Sequence, residues 1–163
     1  MKHAKETYRP TLRIPTAPRI SVEAKQLIEV TLDQARWAIA EGKKWAPMVQ
    51  IIHPSGVENM RIRGFSGAEE EKRLIARHIE GGRRRFNASA VIMISDVSVG
   101  VPGDKVRPSK APNRTEALMV AARGADKVST LGSQSYSRSL DGTVIFAEFE
   151  WSEPSSNYNI FAE

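Results

Sequence analysis

Residues 90–95, Ala-Val-Ile-Met-Ile-Ser, form an almost unbroken apolar run of strand length, and the rest of the chain has to be arranged around it. A strand of this kind sits at the centre of a sheet, covered on one face and packed against side chains on the other. It needs neighbours on both edges, and the flanking sequence supplies them. Trp45–His53 is rich in strand formers, and Pro54-Ser55-Gly56 marks a turn. Val57–Arg63 then alternates, with Met60 and Ile62 on one face and Asn59, Arg61 and Arg63 on the other, so the two segments read as a hairpin. Beyond the central strand come Glu116–Arg123, a turn at 124–126, the serine-rich segment 127–138, and a hairpin signal at Asp141-Gly142. That signal leads into 143–151, where Ile145, Ala147, Phe149 and Trp151 share a face.

Two segments have helical period instead. Ser21 is placed to cap a helix in which Ala24, Leu27, Ile28, Thr31, Leu32, Ala35, Ala38 and Ile39 recur at three- and four-residue intervals up to Gly42. Ser66–Glu69 has the form of a capping box. The stripe Leu74, Ile75, His78 and Ile79 follows, ending near Gly81-Gly82. The order is therefore α-β-β-α-β-β-β-β. Strands joined by tight turns predict an α+β fold: a mainly antiparallel sheet of about five to six strands with two helices on one face.

The 163 residues suffice for one hydrophobic core, expected over 21–151. Residues 1–20 contain Pro10, Pro15 and Pro18 without any period and read as an extended arm, and 152–163 as a short polar tail in which Ile160 and Phe161 are available to dock. Charge is distributed unevenly. Residues 1–19 carry Lys2, Lys5, Arg9, Arg13 and Arg19 against Glu6, whereas 141–163 carry five acids and no Lys or Arg.

Several chemistries have no residues to support them. With no cysteine there is no disulfide, thiolate nucleophile or cysteine-based metal site, which suits a reducing cytoplasm. No apolar h-region or bilayer-length apolar run occurs. His3, His53 and His78 lack ligand spacing, so no metal is expected. His78 reads as a hydrogen-bonded residue on or beside the buried stripe, and His53 as a turn residue. Neither G-x-x-x-x-G-K-S/T nor G-x-G-x-x-G is present, and no cofactor is expected. The succession helix, hairpin, helix, strand bears a faint resemblance to that of cytidine deaminases, but their His/Cys, Glu and P-C-x-x-C are missing, which discards that reading. Glu69, Glu70 and Glu71 read as helix-starting acids rather than catalytic ones. Only His53, Ser95 and Asp96 offer an enzyme reading, as a cleft at strand ends, and no catalytic residue is assigned.

The segments AVIMISDV (90–97) and RTEALMVAARG (114–124) resemble stretches in small uncharacterised α+β proteins of bacteria and their phages, over about residues 20–150. The resemblance implies no activity.

What remains is a basic surface. Lys2, Lys5, Arg9, Arg13 and Arg19 on the arm, Arg61 and Arg63 on the hairpin, Arg83, Arg84 and Arg85 after the second helix, and Lys105, Arg107, Lys110 and Arg114 in the loop 97–114 are each placed to meet phosphates. The expectation is a non-enzymatic binding module for an acidic partner, nucleic acid first. The alternative is an assembly subunit or inhibitor whose arm, through Leu12 and Ile14, orders on a neighbouring protein.

Overall fold

The structure, a computed structural model, describes residues 11–64, 68–99, 115–124 and 128–152. Its elements are α1 (Val22–Ala40), β1 (Met48–His53), β2 (Gly56–Arg61), α2 (Glu69–Phe86), β3 (Ala90–Val99), β4 (Thr115–Gly124), β5 (Ser129–Arg138), β6 (Val144–Phe146) and β7 (Glu150–Trp151). The strands form one antiparallel sheet in the order β2-β1-β3-β4-β5-β6, with β7 also paired to β5. The α+β class, the antiparallel sheet and the succession of elements are those expected.

The placement of the helices is not. They lie on opposite faces of the sheet, because β3 is apolar at every position from Val91 to Ile94 and buries both sides. Ile92 and Ile94 point toward α1, where Ile28, Leu32, Ala35 and Ile39 join Leu118, Val120 and Tyr136 in the larger core. Val91 and Met93 point the other way, into a smaller core with Val49, Ile51, Ala121 and Ile79 of α2. Strand alternation leaves no other arrangement: a strand apolar at successive positions needs a cover on each side.

Local signals account for most boundaries. Ser21 Oγ accepts the N–H of Ala24 at 3.1 Å and caps α1, and Gly42, at φ 75°, turns the chain out of it. The α2 start expected from Ser66 lies outside the described residues; the N-cap is Ala68, which makes no side-chain cap hydrogen bond. Nor does α2 end at Gly81-Gly82. It continues to Phe86 and closes on Asn87, whose left-handed φ of 52° and N–H bonds to the Arg83 and Arg84 carbonyls end the helix. Glycine weakens a helix by only about 1 kcal/mol, too little to stop one whose later residues are good formers and pack on the sheet.

The segment 143–151 is also corrected. It is two short strands, and its first half uses the opposite parity: Val144 and Phe146 pack on the core while Ile145 is 60% exposed. The chain changes phase between β6 and β7, so that Phe149 and Trp151 pack inward over Gly132.

The arm from Thr11 onward is built into the domain. Ile14 is buried in the α1 core. Two buried carboxylates on α1 hold the backbone: Asp33 accepts the N–H groups of Thr11 (2.6 Å) and Leu12 (3.3 Å), and Glu29 accepts that of Ile14 (2.9 Å). The Trp151 indole N–H donates to the Pro15 carbonyl at 2.8 Å, tying arm to sheet. Leu12 and Ile14, the apolar residues that the sequence offers to a neighbour, are thus used within the chain.

Candidate functional site

The outer face of α2 collects the largest group of described cations. Ala76 and Ile79 are buried and set the phase of the helix. Arg73, Arg77, Arg84 and Arg85 are consequently exposed. Arg73, Arg77 and Arg84 follow at intervals of four and seven residues and form a stripe about 16 Å long at the usual helical rise. From Lys72 to Arg85 there are six Lys or Arg residues and one acid, Glu80. The acids Glu69, Glu70 and Glu71 occupy the first turn and the arginines the last, each sign at the helix end that favours it.

The three consecutive arginines are not equivalent. Arg83 grips Glu80 with two bonds, Nε to Oε2 at 2.8 Å and Nη2 to Oε1 at 2.6 Å, and Arg84 Nε reaches Oε1 at 3.1 Å. The Arg83 hydrogen bonds hold the Glu80 carboxyl far below its usual range, at about 2, and Glu80 in turn raises Arg83. Arg83 is a neutralised structural partner. Arg84 is 71% exposed at its side chain and Arg85 lies 5.5 Å from the Phe86 ring centroid, so both keep charge to offer.

The remaining expected residues are scattered. Arg61, on β2, stacks 4.0 Å from the Trp45 ring centroid and donates to the Ala46 carbonyl at 3.1 Å. Desolvation first, and Arg63 second, hold it below the usual arginine range. Arg63 is exposed, as are Arg13 and Arg19 beside α1, across the sheet from α2. Lys2, Lys5, Arg9, Lys105, Arg107, Lys110 and Arg114 lie outside the described residues. Arg73 and Arg77 were not singled out by sequence. Their signal, an i, i+4 arginine pair, becomes legible only when α2 is carried through Gly81-Gly82 so that Arg84 falls on the same stripe.

Other candidates separate. Ile52 pairs with Ala90 and Met48 with Ile94, so His53 and Ser95 stand at opposite ends of the ladder, roughly 20 Å apart at the usual strand rise. Ser95 and Asp96 point to opposite faces. The three cannot form one catalytic cleft. Asp96 instead accepts the Tyr136 hydroxyl at 2.6 Å; desolvation raises both groups, with Glu116 adding to each shift. His53 stacks on Phe86 at 5.1 Å and receives the Ser55 N–H at 3.2 Å, the turn role expected of it. His78 is exposed rather than part of the buried stripe, because Ala76 and Ile79 rotate it to the flank. A hollow of about 500 Å³ lies between the arm and β6–β7, and among the described residues Arg36 Nε and Gln134 Oε1 of its lining are buried without a hydrogen-bond partner.

Among the described residues no group of three or more His, Asp or Glu is placed to hold a metal, and no helix is long and apolar enough to cross a membrane. The chain matches no protein-family model, and comparisons with curated proteins and with solved structures return no match.

Proposed function

We propose that the chain is a non-enzymatic binding module that engages nucleic acid through the outer face of α2, assisted by the cations of segments 1–9 and 105–114. The observation that carries this reading is the stripe Arg73, Arg77 and Arg84, with Arg85 beside it, held at fixed spacing on a helix that faces solvent. Arginines on a rigid element reach successive phosphates with little ordering cost, and each contact releases condensed counterions. Phosphate contacts carry no sequence information, so the binding expected from them is tolerant of sequence.

The test is anisotropy of labelled single-stranded DNA, duplex DNA and RNA oligonucleotides over a salt series. Binding should weaken steeply with salt. Arg73→Gln with Arg77→Gln should lower the slope of log K against log salt by about one per phosphate contact removed. An absence of binding at low salt to all three nucleic acids would overturn the reading. Retained binding with an unchanged slope in the double variant would move the site off α2.

A further inference from the structure

The first strand of the sheet has an open edge. β2 pairs with β1 alone, and among the described residues no strand lies on its other side. The register fixes what that edge presents. Gly56 closes the turn opposite His53, and Ile62 N–H donates to the Pro47 carbonyl at 2.9 Å. Glu58 and Met60, in phase with these two, turn their backbone groups toward β1. Val57, Asn59 and Arg61 therefore turn their N–H and C=O groups outward.

The two sides of this edge differ in chemistry. Toward α2, Met60 and Ile62 join Leu74, Ile75 and the flanks of Glu71, Arg77 and His78 around an apolar groove of about 460 Å³. Leu74, 57% exposed, lies at the rim of this groove. On the other side Arg61 lies near enough to Arg63 for the two to repel. A strand laid along the edge alternates its side chains as β2 does, every second one into the groove and the others over these arginines.

We propose that this edge binds an extended peptide in which large apolar and acidic residues alternate, added to the sheet beside β2. The outward backbone groups supply affinity, the groove selects the apolar positions and the arginines the acidic ones. A second copy of the chain fits poorly. Residues opposed across a two-fold antiparallel pairing share a face, and Glu58 and Arg61 point to different faces, so no such register sets the acid of one copy against the Arg61 of the other. Cations at an exposed edge resist self-pairing in this way and leave an acidic strand as the complement. The proposal uses the flank of α2 and shares only Arg77 with the outer stripe, so it rests on observations separate from those for nucleic-acid binding.

The probe is a fluorescein-labelled Leu-Glu-Leu-Glu-Leu-Glu-Leu peptide, compared with its Lys-for-Glu counterpart and with Leu-Leu-Leu-Leu-Glu-Glu-Glu, using the full chain. Only the alternating acidic peptide should bind. Leu74→Asp and Arg63→Glu, both at exposed positions, should each weaken it by about tenfold or more, with circular dichroism unchanged. N-methylation of alternate peptide amides should abolish binding in one phase and not in the other. Equal binding of all three peptides, no binding of any, or binding indifferent to both variants overturns the proposal. So does loss through Arg84→Gln with Leu74→Asp silent, which would assign the peptide to the outer stripe used by nucleic acid.

Discussion

Gly81 and Gly132 both stand inside regular elements, yet a methyl group added to each would meet opposite surroundings. A Cβ at Gly81 has nothing within 4 Å, and the residue is in the middle of α2. Gly81→Ala should therefore raise stability by about 0.5–1 kcal/mol, the usual helix gain. At Gly132 a Cβ would lie 2.8 Å from Trp151 Cε3 and 2.9 Å from Phe149 Cε1, with Phe149 Cζ closer still. Gly132→Ala must displace two core aromatics and should cost about 1–3 kcal/mol. Urea unfolding of the two variants checks the pair; a destabilised Gly81→Ala or a neutral Gly132→Ala would contradict this account. Glu80 gives a pH-dependent case. Its folded carboxyl titrates at about 2 against an ordinary 4.5, so the unfolded chain takes up the proton first as pH falls. The stabilisation is full above the ordinary value and is lost as pH drops through about 2. Glu80→Gln should be less stable than the parent by about 1–2 kcal/mol at pH 7, with the gap narrowing below pH 4.5. A gap that widens toward acid pH would refute the assignment.

Elements were legible in the sequence where one local signal decided them. Ser21 and Gly42 bracket α1, the Pro54-Ser55 turn joins β1 to β2, and the run 90–95 becomes the sheet's central strand. Failures occurred where tertiary packing outweighed a local signal. Gly81-Gly82 looks like a helix end, but Ile79 and Phe86 on either side both pack on the sheet and carry the helix across. The alternation at 145–151 looks continuous, but Phe146 and Phe149 both pack inward, which no single phase allows. The opposite-face placement of the helices was implicit in the doubly apolar β3. The site was legible only as charge: Arg84 and Arg85 were visible, but the stripe they share with Arg73 and Arg77 depends on the true length of α2. The docked arm left no periodic trace, because its backbone bonds to side chains. Nothing in the sequence sets Asp33 and Glu29 apart from other helix acids, yet both are buried. Asp33→Ala removes the acceptor for Thr11 and Leu12 and the partner of Arg36 at 3.3 Å. It should cost about 1–3 kcal/mol. Hydrogen exchange locates the loss: the amides of Thr11 and Leu12 should lose protection while those of β3 keep it. Unchanged exchange at Thr11 would mean that the carboxylate does not hold the arm.

Across the whole molecule the two faces of the sheet are unequally secured. α1 buries eight residues, among them Ile28, Leu32 and Ile39, and lies under the arm and the aromatic residues of β5–β7. α2 buries only Ala76 and Ile79, and its groove side opens along β2. Since burial is the main source of helix stability in a protein, α2 should open from the sheet at a lower free energy than α1. Native-state hydrogen exchange in rising denaturant should separate two sets of amides. Those of α2 should exchange through a smaller opening, and those of α1, β3 and β4 only through global unfolding. Leu32→Ala should then destabilise the whole molecule by about 2–5 kcal/mol, whereas Ile79→Ala should lower the α2 opening energy and leave the difference between α1 and β3 unchanged. The same inequality bears on the proposed function. A ligand that binds only when α2 is docked stabilises that state by mass action, so a saturating oligonucleotide should raise protection across α2. Saturation by the alternating peptide should protect α2 as well, and with it the outward amides of Val57, Asn59 and Arg61, which the oligonucleotide leaves exchanging. Merging of the α1 and α2 amides into one free-energy class without ligand would show that the sheet holds both helices equally and remove the basis of this linkage.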